Sequence, residues 1–214
     1  MKKTFLFDFD GTLVDSMPTF AALMIRILDE RNISYGDDIV KIITPLGYAG
    51  TAKYFREKLG VTDSEEALIA KMNEYALYEY SYNIPEKEGV TDTLLKMKEL
   101  GYSLNVLTAS PHTVLDVCLK RLGMYDIFDN VWSCDDFATT KANPEIYIMA
   151  AERIGVPVEK IIFVDDNIGA VGASMKAGAC GVGIFDLSSA EYEKDFRLSA
   201  DLYVEKFSQL LDVK

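Results

Sequence analysis

The sequence predicts an α/β protein whose parallel sheet is interrupted after its first strand by a helical insertion. Three observations lead there. From residue 90 onward, short apolar runs of strand length alternate with segments of helical periodicity. One further apolar run, Thr4 to Phe9, stands alone near the N-terminus. Between the two lies a stretch, Met17 to about Tyr82, with helical spacing and no convincing strand. Alternating strands and helices build a parallel sheet covered on both faces through right-handed crossovers.

The elements follow in order. Thr4 to Phe9 is the first strand. Phe20, Leu23, Met24, Ile27 and Leu28 recur at helical spacing. A turn at residues 34–38 leads to a short helix near Asp37 to Ile43. The Thr44-Pro45-Leu46-Gly47 break separates it from a helix near Ala49 to Leu59. Thr62 or Asp63 can cap a long helix to about Tyr82, with Glu65 and Glu66 in its first turn. Asn83 to Gly89 reads as a linker. Val90 to Leu100 is a helix stopped by Gly101, and Ser103 to Leu107 a strand. Pro111 to Leu122 is a helix with Pro111 in its first turn, and Asn130 to Ser133 a short strand. Pro144 to Ile154 is a helix, Lys160 to Val164 a buried strand, Ala170 to Ala177 a helix, and Cys180 to Phe185 a strand. The domain reading is therefore a core of residues 1–15 and 86–214 with an insert of residues 16–85. No element is assigned beyond Phe185.

Composition narrows the function. The chain has 214 residues, 49% of them apolar, and a net charge of −12. That charge argues against a nucleic-acid partner, and it requires any anionic substrate to be held by local positive groups. No run of 18 apolar residues exists, so no membrane span is expected. The opening MKKTFLFDFD starts like a signal peptide, but Asp8 and Asp10 break its apolar stretch and no cleavage site follows. A cytoplasmic monomer is expected. Cys118, Cys134 and Cys180 lie far apart without metal-type spacing and read as reduced thiols.

Sites in open parallel sheets form at the carboxyl ends of strands. The first strand ends in Asp8-Phe9-Asp10-Gly11-Thr12, the Ser103 strand in Thr108-Ala109-Ser110, and the Lys160 strand in Asp165-Asp166-Asn167. Lys141 lies just before the Pro144 helix. Alternation along an extended segment puts Asp8 and Asp10 on one side. Two such carboxylates repel unless a cation intervenes, and hard oxygen donors suit magnesium. One carboxylate can then act as nucleophile and the other as proton carrier.

These segments resemble the four motifs of the haloacid dehalogenase superfamily. DFDGTLVDS is similar to the first, VLTAS to the second, KANPEIY to the third and IIFVDDN to the fourth, in the right order. Within it the chain is most similar to phosphoglycolate phosphatases and β-phosphoglucomutases. The resemblance implies a Rossmann-like core with an inserted helical cap domain. It further implies a magnesium-dependent phosphatase acting on a small phosphate ester, such as a sugar phosphate or phosphoglycolate. Carried over, Asp8 becomes an aspartyl-phosphate, and Asp10 protonates the leaving oxygen and then activates water. Thr108, with the amides around Ala109 and Ser110, holds phosphoryl oxygens. Lys141 neutralises charge between Asp8 and phosphate. The metal is held by Asp8, the Asp10 carbonyl and Asp166, with Asp165 in support. Gly11 lets the backbone approach the phosphate.

Asp10 favours phosphate-ester chemistry, since dehalogenases and phosphonatases of this superfamily lack an acid there. Phe20 and Pro111 stand where β-phosphoglucomutases carry a histidine and a lysine, which disfavours a sugar phosphomutase. Ala142 follows Lys141 where the third motif usually has proline. A non-catalytic binding protein on the same fold is the alternative of a different class. Within the insert, the Thr44-Pro45-Leu46-Gly47 break and the helix after it are the candidate specificity segment. Thr51 and Lys53 are its polar members, and Lys53 is the candidate contact for an acidic leaving group, with a solvated helix-surface lysine as the alternative. His112 is read as a helix-surface residue or a substrate contact. Tyr75, Tyr78 and Tyr82 are read as one stripe that packs the insert.

Overall fold

The computed structural model describes residues 3–213. The chain separates into two compact units, residues 1–15 with 85–214 and residues 16–84. The first unit carries six parallel strands in the order β3-β2-β1-β4-β5-β6. They are β1 (Thr4–Phe7), β2 (Ser103–Thr108), β3 (Asn130–Ser133), β4 (Ile161–Asp165), β5 (Cys180–Ile184) and β6 (Leu202–Val204). Helices of this unit are α5 (Val90–Glu99), α6 (His112–Arg121), α7 (Glu145–Ile154), α8 (Ile168–Ala177) and α9 (Glu193–Ser199). The insert consists of α1 (Met17–Glu30), α2 (Ile39–Ile43), α3 (Gly47–Leu59) and α4 (Glu65–Tyr82).

Strand β1 sits at the centre, with Phe7 aligned to Val106 of β2 and to Val164 of β4. Side chains alternate across it. Leu6 joins Leu107 and Phe163 in a core closed by Ile146, Tyr147 and Ala150 of α7 and by Ala170 and Ala173 of α8. Phe5 and Phe7 stack on each other at 5.5 Å, and Phe7 also meets Phe128 and Phe207. A strand buried on both faces explains why FLF shows no polar alternation.

Strand β1 ends at Phe7, two residues before the end read from the sequence. The amides of Leu13 and Val14 both donate to the Phe9 carbonyl, and that of Gly11 to the Val14 carbonyl, so the chain curls into a tight loop. Pro111 and Pro144 are N-caps of α6 and α7 instead of first-turn residues. Helix α8 begins two residues early because Asn167 caps it, its side-chain oxygen accepting from the Ala170 amide at 3.1 Å. The sequence reading missed β6 and α9. Three residues with Leu202 exposed carry no readable period, yet Val182 pairs with Leu202 and extends the sheet.

Within the insert, Leu23, Met24, Ile27 and Leu28 of α1 are buried, as are Leu68, Met72 and Ala76 of α4. The cap of α4 is Ser64, whose hydroxyl accepts from Ala67, and not Thr62 or Asp63. Asp63 is instead engaged with Arg31 through two 2.9 Å hydrogen bonds. The tyrosine stripe is also corrected. Tyr75 and Tyr80 are buried, whereas Tyr78 and Tyr82 are exposed and face each other at 5.1 Å. Tyr75 takes the Arg26 guanidinium on its ring, 4.1 Å from the centroid. Among the described residues no helix is long and apolar enough to cross a membrane.

Candidate active site

The order of the sheet places β1 between β2 and β4, where the winding direction reverses. Ligands of such sheets bind outside the carboxyl ends of the strands at that point. Asp8 leaves β1 there, its amide donating to the Val164 carbonyl at 2.9 Å. Asp165 ends β4, and Asp166 follows it. All three carboxylates are buried, and each offers an oxygen within 4.8 Å of the others.

Lys141 enters from the turn before α7. Its ammonium donates to Asp8 Oδ1 at 2.5 Å and to Asp165 Oδ2 at 2.8 Å. The second oxygen of Asp165 accepts the Asn167 amide at 2.7 Å, so Asp165 anchors the lysine while standing in the acid cluster. The backbone of Lys141 is fixed too: the Tyr147 hydroxyl, with one proton to give, lies 2.8 Å from its carbonyl and 3.0 Å from that of Ala170 and is shared between them. Tyr147 went unnoticed in the sequence because its ring packs on Phe163 at 4.7 Å and reads as core.

Asp10 lies nearer the surface, and its carboxylate accepts the Ser110 hydroxyl at 2.5 Å. Thr108 is buried, and its hydroxyl accepts the Ser110 amide at 3.1 Å. Ala109 is exposed between them. Lys53 stands exposed on α3, 3.9 Å from Glu57, a surface pair of little energetic weight. Thr51 is wholly buried and donates to the Ile43 carbonyl at 3.2 Å, so its hydroxyl is used inside the insert. His112 bridges Asp116 and Asp136, one ring nitrogen 2.8 Å from each, and these hydrogen bonds raise its pKa.

One ammonium among three buried carboxylates leaves excess negative charge. Burial, then the charge of Asp165, pushes the pKa of Asp8 up, against the pull of Lys141. Burial and the charges of Asp165 and Asp8 push Asp166 up. Burial opposes the charge on Lys141, but Asp165 and Asp8 outweigh it and hold its pKa well above the usual value. Buried, anionic oxygen donors this close together fit a small divalent cation such as magnesium, which would relieve the repulsion.

Gly11 shapes the same cradle. Its φ is +75°, and a Cβ there would stand 2.6 Å from Asp166 Oδ2. Gly11→Ala is expected to cost about 1–2 kcal/mol of stability from the left-handed backbone. By displacing Asp166 it should also weaken divalent-ion binding roughly tenfold. Calorimetric magnesium titration checks this, and unchanged affinity contradicts it.

The acid cluster also sets a pH dependence. Asp8 and Asp166 keep their protons in the metal-free fold at pH values where the unfolded chain has lost them. The folded state then binds more protons, so stability falls as pH rises above about 4, the ordinary carboxylate range, toward their raised values. The raised pKa of Lys141 acts only at much higher pH. Magnesium should therefore raise the melting temperature more at alkaline than at mildly acidic pH. The difference should shrink in Asp166→Asn; equal magnesium shifts across pH in the wild type contradict the argument.

Comparison with known proteins supports the fold and places the family. The sequence signature described as haloacid dehalogenase-like hydrolase matches residues 2–178. A pyrophosphatase, PpaX, of Bacillus velezensis is 28% identical over 97% of this chain and 94% of its own. A phosphoglycolate phosphatase of Salmonella typhi is 28% identical over 96% of this chain and 89% of its own. The crystal structure of CbbY from Rhodobacter sphaeroides in complex with phosphate superposes with a TM-score of 0.79 at 20% identity, covering 98% of this chain and 96% of that one. The chain belongs to the haloacid dehalogenase-like hydrolase family, and within it to the phosphatases.

Proposed function

We propose that this chain is a cytoplasmic, magnesium-dependent phosphatase that hydrolyses a small phosphorylated metabolite of the sugar phosphate or phosphoglycolate type. The reaction passes through an aspartyl-phosphate on Asp8. The observation that carries the reading is the Asp8 carboxylate in contact with Lys141, two residues from an Asp10 held by Ser110.

In the first step Asp8 attacks phosphorus, the bond to the leaving oxygen breaks, and Asp10 gives that oxygen its proton. In the second, Asp10 takes a proton from water as the water attacks phosphorus, releasing phosphate and restoring Asp8. A carboxylate approaching a phosphate dianion is repelled. Lys141 offsets that repulsion, and Thr108 with the Ala109–Ser110 segment holds the phosphoryl oxygens. Asp8, the Asp10 carbonyl, Asp166 and Asp165 are the residues that would hold magnesium. When bound, the ion neutralises charge on the transferred group. Gly11 keeps the loop backbone close to the phosphoryl site. Lys53 is the insert's candidate for contacting an acidic leaving group. The relatives' activities, on pyrophosphate and phosphoglycolate, support a compact, highly charged substrate.

Phosphate release from a panel of phosphorylated metabolites, with and without chelator, tests this reading. Turnover of at least one phosphomonoester, abolished by chelation and restored by magnesium but not by calcium, is expected. Calcium takes more ligands at longer distances and would misplace Asp8. Turnover unchanged after thorough chelation would remove the metal from the mechanism.

A further inference from the structure

Lys87 lies in the segment that returns from the insert to the core. Its ammonium donates to the Gly11 carbonyl at 2.6 Å, to the Phe185 carbonyl at 2.7 Å and to Asp186 Oδ2 at 2.9 Å. An ammonium has three protons, and all three are placed. The backbone around it is held as well, since the Lys87 amide donates to the Leu13 carbonyl and the Asp15 amide to the Pro85 carbonyl. Asp186 is buried. Burial would raise its pKa, but hydrogen bonds from Ser188 and Lys87 hold it below the usual range. Its other oxygen is occupied by the amide and hydroxyl of Ser188.

The partner that matters is Gly11. This residue follows Asp10 directly, and its Cα lies so close to Asp166 that a Cβ would collide with the carboxylate. A cation pulling on the Gly11 carbonyl fixes the orientation of the peptide joining Gly11 to Thr12. It thereby fixes how closely the loop presses on Asp166. A structural tether at the end of β5 would need only Phe185 and Asp186; the third bond reaches into the loop that carries Asp8 and Asp10.

We propose that Lys87 is a positioning residue for the phosphatase reaction: by holding the Gly11 carbonyl it sets the spacing between the Asp8–Gly11 loop and Asp166, and so the affinity of the site for its divalent cation. This rests on the reading given under Proposed function. The interaction is charge-assisted and mostly shielded from water, so it survives moderate salt.

The test compares Lys87→Met, which keeps the apolar stem and removes the charge, with Asp186→Asn, which keeps Lys87 on both carbonyls. Magnesium affinity is read without turnover, by calorimetry and by the magnesium-dependent shift in melting temperature. Lys87→Met should weaken magnesium binding about tenfold or more and lower kcat at limiting magnesium, with the KM for the phosphate ester within about twofold of wild type. Asp186→Asn should change magnesium affinity less than about threefold. Should Lys87→Met fail to fold, Lys87→Ala with added ethylammonium replaces it, and recovery of magnesium affinity with amine concentration is expected. Magnesium affinity within about twofold of wild type in a folded Lys87→Met protein overturns the proposal. So does a loss in Asp186→Asn as large as in Lys87→Met, and so does an Ala variant that amine does not rescue. A wild-type protein that binds magnesium but hydrolyses no phosphate ester ends the phosphatase reading instead, and the magnesium titrations still decide the role of Lys87.

Discussion

Asp8→Asn is expected to lower kcat on the order of 10⁴-fold or more while leaving the fold intact, the scale seen when a nucleophile is removed. A carboxamide is too weak a nucleophile to form the acyl-phosphate. The same change should make the metal-free protein unfold at a higher temperature. Asp8 is buried beside Asp165 and holds a raised pKa, so its charge is unfavourable in the fold. Lys141 keeps its 2.8 Å contact with Asp165 and is not left alone. The pairing of lost activity with gained stability separates a functional residue from a structural one. Steady-state phosphate release by pure Asp8→Asn above the level of contaminants contradicts the assignment, whatever its stability.

Lys141→Met is expected to damage both. The ammonium is the only partner of the Asp8 side chain among the hydrogen bonds described and one of two for Asp165. Removing one member of a buried ion pair costs about 3–5 kcal/mol, because the remaining charges lose their compensation. Activity should fall on the order of 10³-fold through loss of the charge facing the phosphoryl group. Stability should recover in part as pH is lowered, because Asp8 takes up a proton and no longer needs the lysine. Denaturant unfolding at several pH values checks this. A loss of stability that does not diminish toward acidic pH would mean that Lys141 contributes packing and not charge.

The sheet was legible in the sequence because its strands are short apolar runs ended by acids or hydroxyls. Asp8, Thr108 and Asp165 mark three such ends. The convergence of Asp8, Lys141, Asp165 and Asp166 follows from strand order, and DFDGT, VLTAS and IIFVDDN each mark a strand end. Contacts made by single side chains across the chain were not legible. Nothing in local pattern tells that Ser110 holds Asp10, that the core tyrosine Tyr147 orients Lys141, or that Lys87 reaches Gly11 from a segment read as a linker. The aromatic stripe failed for a related reason. Spacing along a helix groups Tyr75, Tyr78 and Tyr82, but which face is buried depends on neighbouring helices, and α4 buries Tyr75 and Tyr80. At the C-terminus β6 is stabilised by pairing with β5 and not by any period of its own.

The central claim is a covalent phosphate on Asp8, and trapping it is the most direct test. Enzyme mixed with excess hydrolysable ester and magnesium is quenched in acid, reduced with borohydride, digested and sequenced by mass spectrometry. Hydride reduction of an acyl-phosphate converts the aspartate to homoserine, while a free carboxylate is untouched. Homoserine at position 8 only, dependent on both substrate and magnesium, is the expected result. An unmodified Asp8 during active turnover, or the same modification at Asp10, Asp165 or Asp166 in its place, contradicts it.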